Sequence, residues 1–174
     1  MTAPPLPPLL MLAGMRSLGE SAEAYDWAFD QIQHALLPHA GGCGHVGATL
    51  ITGGVVGPEV WAAAHAIRFG LRSVVYHADG VRTDSHGKPG RWAPEQLKAT
   101  AHSRDQQIAD DLAYRARSGR RVVVVGLLDA TNSKVARSGT AHRLACAESA
   151  GLSVQRFSWG LAPQQQEAAP AAAE

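Results

Sequence analysis

Cysteine is nearly missing from this chain: Cys43 and Cys146 are the only two among 174 residues. A disulfide framework is therefore not expected, and nothing else points to an oxidising compartment. Aromatic residues make up only 6%, so alanine supplies much of the 45% hydrophobic content. Neither sign of charge dominates, and a formal net charge of +1 gives no global field to gather nucleic acid or an anionic membrane. No apolar run approaches the ~18 residues that a spanning helix needs. The segment from Met1 to Met15 carries an apolar stretch, Leu9 to Leu12, but no basic residues ahead of it, and Pro4, Pro5, Pro7 and Pro8 interrupt it. It makes a poor signal peptide, and a cytoplasmic protein without membrane contact is the expectation.

The length suits one ordinary domain with a real core. Residues 9–160 are expected to form it, after a disordered stretch over 1–8. Residues 161–174, biased to Gln, Ala, Pro and Glu, are expected to be a disordered tail.

Along the chain, apolar runs and helical patterns alternate. Leu9 to Ala13, closed by Gly14, reads as a strand buried on both faces. Tyr25, Phe29, Ile32 and Leu36 recur at helical spacing until Pro38. A second strand, Ala48 to Thr52, runs into Gly53-Gly54-Val55-Val56-Gly57-Pro58-Glu59, with Pro58 in the favoured first helical position. Val60, Ala64 and Ile67 are the expected inner face of that helix, which Gly70 stops. Ser73 to His77 is the third strand, followed by Ala78-Asp79-Gly80 and a long polar loop to Ala93. Ser103-Arg104-Asp105-Gln106 matches a capping pattern, with Ile108, Leu112 and Ala116 as the stripe of the helix that it starts. Arg121 to Leu128 is the clearest strand, since its β-branched run has no polar alternation and belongs near the centre of a sheet. Ser138-Gly139-Thr140 opens a last helix through Ala141, Leu144, Ala145 and Glu148, and Leu152 to Phe157 is the final strand.

This alternation predicts an α/β, Rossmann-like three-layer fold with a mostly parallel central sheet. Loops that follow parallel strands gather at the carboxyl edge, where ligands bind near the switch in strand order. Two glycine-containing corners, each opening a helix, are expected there as anion sites: Gly53 and Gly54 before Pro58, and Gly139 before Thr140. No metal centre is expected. His39, Cys43 and His45 share a glycine-rich loop but lack the paired spacing of a structural zinc site.

Several of these segments, in this order, resemble the SLOG superfamily and its small YAcAr-type proteins, over roughly Leu9 to Phe157. Gly14-Met15-Arg16-Ser17 is similar to that family's Gly-Ser-Arg after the first strand, and Thr52 to Glu59 is similar to its Gly-Gly-Ala-x-Gly-Ala-Asp loop. Ala78-Asp79, Ser103 to Gln106 and Ser138 to Ala141 resemble the later steps of its pattern. The resemblance implies a nucleotide or nucleotide-derived ligand, with no further cofactor, held by Gly14, Arg16, Ser17, Gly53, Gly54, Gly57, Arg104, Ser138, Gly139 and Thr140. The LOG enzymes of the superfamily split a base from a ribose phosphate and carry a glutamate where this chain has Arg143, a side chain that cannot act as a carboxylate base.

The leading expectation is therefore a sensor or carrier of a phosphorylated ligand. The alternative is a hydrolase of a ribosyl or phosphoribosyl N-glycosidic bond, with Glu59 and Asp79 as acid or base and His77 nearby. A third reading is a nucleic-acid module using Arg82 to Arg91 with Trp92 as a stacking surface. The oligomeric state stays open, a homo-oligomer included.

Overall fold

The computed structural model describes residues 6–41, 47–76 and 101–161 in full, and the backbone of 81–84 and 89–91. Among these, seven strands and four α-helices follow in the order β1 (Leu9–Gly14), α1 (Ala22–Leu36), β2 (Thr49–Thr52), α2 (Pro58–Ala66), β3 (Arg72–Tyr76), β4 (Val81–Asp84), β5 (Pro89–Arg91), α3 (Ala101–Arg117), β6 (Val122–Asp129), α4 (Gly139–Ser149) and β7 (Val154–Trp159). They form one sheet in the order β5, β4, β3, β2, β1, β6, β7. The five strands from β3 to β7 in that order are mutually parallel, and β4 and β5 extend the sheet antiparallel beyond β3. The expected α/β Rossmann-like three-layer architecture is thus the observed one.

Side-chain alternation along the strands builds the two outer layers. Leu10 and Leu12 of β1 pack with Leu50, Val125 and Leu127 against α1 and α2, which supply Ala28, Ile32, Leu36, Ala62 and Ala66. Leu9, Met11 and Ala13 point the other way, joining Ile51 and Val124 against Ile108 and Leu112 of α3 and Leu144 and Ala147 of α4. All six residues of β1 are buried, as a strand covered on both faces requires. β1 is also the middle of the parallel five. β6 lies beside it, between β1 and β7, with Val124 to Leu127 buried and Val122 and Val123 only half-buried.

Four local expectations need correction. The core face of α1 is Ala24, Ala28, Ile32 and Leu36, so Tyr25 and Phe29 sit one position away, against Trp61 and His65 of α2. In α2 the buried face is Ala62 and Ala66, while Val60 and Ile67 are exposed. Small residues win these positions because the helices lie close to the sheet: a Cβ on Gly14 would come within 2.4 Å of Pro58 Cβ. Ser103 is not a cap, since α3 already begins at Ala101, although its stripe of Ile108 and Leu112 is buried as expected. The segment read as a loop after β3 contains the β4–β5 hairpin, with Tyr76 opposite Arg82 and Arg82 opposite Gly90. Asp79, His77, Trp92, Cys43, His45 and the terminal residues 1–5 and 162–174 lie outside the described residues.

The Gly14 contact generates a test. Gly14→Ala should destabilise the fold by about 1–3 kcal/mol through overpacking against the rigid Pro58 ring, read as a lower urea midpoint with an unchanged slope. A midpoint equal to wild type would show that α2 does not rest on the end of β1.

Candidate functional site

The order β3, β2, β1, β6, β7 reverses direction between β1 and β6, and a crevice opens there, at the carboxyl ends of the strands. It is a cavity of about 580 Å³, within the usual ligand-pocket range. The loop after β1 contributes Gly14 to Ser17 and Glu20, and the start of α2 contributes Val55 and Glu59. From α3 come Ala101, His102, Arg104 and Asp105; the connection from β6 into α4 adds Asn132, Lys134, Arg137 to Thr140, and Arg143. Gly14, Arg16, Ser17, Glu59, Arg104, Ser138, Gly139 and Thr140 are thereby brought together as the sequence predicts. Gly53, Gly54 and Gly57 are not part of the lining.

The reason is that the first glycine corner already holds an anion of its own. Glu59 folds back from the first turn of α2, and its Oε2 accepts from the amides of Gly53 at 2.7 Å and Val55 at 3.4 Å. Its Oε1 meets Arg143 Nη1 at 2.5 Å. The same guanidinium donates through Nε to Asp105 Oδ1 at 2.8 Å, and Arg104 approaches that oxygen through Nε at 3.0 Å and Nη2 at 2.9 Å. Arg104 Nη1 then donates to the carbonyl of Gly53 at 3.0 Å, closing the circuit. Glu59, Asp105 and Arg143 are each 1% exposed and Arg104 7%, so two cations and two carboxylates cancel inside the protein. Burial alone would lower the Arg143 pKa, but the charges and hydrogen bonds of Glu59 and Asp105 raise it above the ordinary value. Gly53 is glycine because a Cβ there would lie 2.5 Å from the Arg143 guanidinium. Gly54 and Gly57 have positive φ, 67° and 113°, so they serve the turn that brings Glu59 under its amides.

The second corner has no such tenant. Ser138 caps α4, its hydroxyl accepting from Ala141 N at 3.0 Å and donating to Val135 O at 2.8 Å. The first-turn amides of Gly139 and Thr140 have no acceptor within the helix. Nothing lies within 4 Å of the place where a Gly139 Cβ would stand. Exposed Arg16, Lys134 and Arg137 line the cavity, and among the described residues the one exposed carboxylate in its lining is Glu20.

Between the two corners, at the end of β6, Asp129 organises the loop into α4. Its Oδ1 accepts from Thr131 Oγ1 at 2.6 Å and Thr131 N at 3.0 Å. Burial alone would raise its carboxyl pKa. The hydroxyls of Ser17 and Thr131 and the amides of Thr131 and Asn132 outweigh that and hold it below the ordinary value. Ser17 Oγ stands near enough to favour the ionised carboxylate, yet makes no hydrogen bond of good geometry.

No family model, curated protein or solved structure matches this chain. The site is therefore read from its own chemistry. Among the described residues no group of three or more His, Cys, Asp or Glu side chains is placed to hold a metal ion. Sequence reasoning missed Lys134, Arg137 and His102 as lining residues. Lys134 and Arg137 carried a signal, because cations just ahead of a capped helix N-terminus sit beside its amides. His102 carried none, since its place depends on how α3 packs against α4.

Arg143→Met should cost about 3–5 kcal/mol, because it leaves Glu59 and Asp105 buried without their shared cation. Chemical denaturation measures this, and a loss under about 1 kcal/mol would mean that the network is not a stabilising unit. Asp129 predicts a pH effect. Its folded pKa is lowered, so its contribution is complete above the unfolded value near 3.8 and is lost as pH falls through the folded one. Asp129→Asn should thus be less stable than wild type at neutral pH and should lose less stability below about pH 4, as acid unfolding curves would report.

Proposed function

We propose that this protein binds a nucleotide or nucleotide-derived ligand in the crevice between β1 and β6, as a sensor or carrier, with the phosphate seated on the N-terminus of α4. The observation that carries the reading is the difference between the two corners. At Gly53 the backbone amides are occupied by Glu59, whereas at Gly139 the helix start is open to the cavity. The four buried charges cancel, so among the described residues the cavity's residual charge is that of Arg16, Lys134 and Arg137 against Glu20. That balance suits a phosphate or diphosphate, and a volume of about 580 Å³ has room for much more than the phosphate itself. The resemblance to SLOG proteins is in keeping with a ligand of this class.

The hydrolase alternative depends on Glu59 and Asp79. Glu59 is engaged by Arg143, Gly53 and Val55, which makes it an anchor of the loop and a poor candidate to take a proton from water. The open corner therefore favours binding over turnover. Among the described residues no helix is long and apolar enough to cross a membrane.

A thermal-shift panel of nucleoside monophosphates, NAD and ADP-ribose tests the proposal, with product analysis of the same samples. Ligand at ~100 times its dissociation constant should stabilise the protein by about 2.7 kcal/mol. Gly139→Val should abolish that shift, since the new side chain would enter the space above the helix start, where an added Cβ meets nothing within 4 Å. Arg137→Ala should weaken phosphorylated ligands about tenfold, through loss of a charge-assisted hydrogen bond, and leave bare nucleosides unaffected. Undiminished shifts in both variants would remove the phosphate from this corner.

A further inference from the structure

We infer that His102 is a stacking platform for a planar heteroaromatic ring, so that the crevice prefers nucleoside 5′-phosphates over phosphorylated sugars that lack a base. The inference rests on the phosphate reading above and adds the other end of the ligand. His102 stands in the first turn described for α3, exposed, with its ring lining the cavity. One face of that ring lies against the ring of His142 from α4, with centroids 4.2 Å apart and planes inclined by 34°. His142 is itself tied along its own helix, its Nε2 lying 3.6 Å from Cys146 Sγ. The pair is therefore a backed aromatic surface: His142 fixes the orientation of His102, and the exposed part of His102 is presented to the crevice.

Such a surface inside a cationic pocket addresses a ligand with two unlike ends. A phosphate at the start of α4 fills only a small part of about 580 Å³, and Ala101, His102, Arg104 and Asp105 of α3 line the same cavity. Desolvating an imidazole face is favourable when a flat π-system covers it. Stacking of this kind tolerates any base, because every base has a π-face. The ligand class is accordingly a nucleotide whose base lies on His102, with little discrimination between purine and pyrimidine.

Isothermal titration of the full chain with AMP, CMP and ribose 5-phosphate tests this, using wild type, His102→Ala and His102→Phe. Wild type should bind both nucleotides about tenfold or more tighter than ribose 5-phosphate, the size of one base stacked on an aromatic side chain. His102→Ala should bring the nucleotides down to the affinity of ribose 5-phosphate, and His102→Phe, which keeps a flat ring, should retain the preference. Equal binding of AMP and ribose 5-phosphate by wild type would overturn the inference and leave the phosphate reading standing. So would a His102→Ala variant that keeps the preference, or a His102→Phe variant that loses it. If none of the three ligands binds wild type, the phosphate reading itself fails, and this inference fails with it.

Discussion

The Arg143 guanidinium, held between Glu59 and Asp105, is the interaction on which the rest of this structure depends. It joins three helices and a loop: Glu59 comes from α2, Asp105 from α3, Arg143 from α4, and the Gly53 backbone closes the ring through Arg104. A charge buried this deeply is tolerable only when opposite charge and hydrogen bonds offset its lost hydration, and here two carboxylates supply both. The arrangement fixes side-chain choices that would otherwise look arbitrary. Residue 53 has no Cβ because the guanidinium occupies that space, and residue 143 is an arginine because two buried carboxylates require a cation between them.

Much of the fold was legible in the sequence for one physical reason. A parallel strand covered on both faces has to be apolar throughout, and Leu9 to Ala13 and Val122 to Val125 carry that signature without any partner being known. The helix faces were less legible. Periodicity marks a stripe by its bulkiest members, but close packing on the sheet selects the smallest, so Ala24 and Ala28 displaced Tyr25 and Phe29, and Ala62 and Ala66 displaced Val60 and Ile67. The hairpin after β3 was read as a loop because its strands are only three and four residues long and polar.

At the site, the sequence located the crevice better than it distinguished its parts. Both glycine corners have the composition of an anion cradle, and the first is one, with Glu59 on its amides. What composition does not reveal is that the anion of the first is supplied from within, by a residue six positions along the chain. The partners that complete it, Asp105 and Arg143, lie 38 and 84 residues from the groups they meet, beyond the reach of any local pattern. The contrast divides the crevice into a neutral floor made by internal pairing and a wall that carries the exposed Arg16, Lys134 and Arg137.

The hairpin of β4 and β5 has a further consequence, for how copies of this chain behave toward one another. Without it, β3 would end the sheet and offer a straight row of free peptide groups to any extended segment nearby. With it, the outermost strand among the described residues is the three-residue Pro89–Arg91, too short to template a long ladder and begun by a residue with no amide hydrogen to donate. At the opposite border, β7 carries exposed Gln155 and Arg156, and Arg156 pairs with Glu148 of α4, so charge guards that side. Among the described residues both margins of the sheet thus offer little to a further strand.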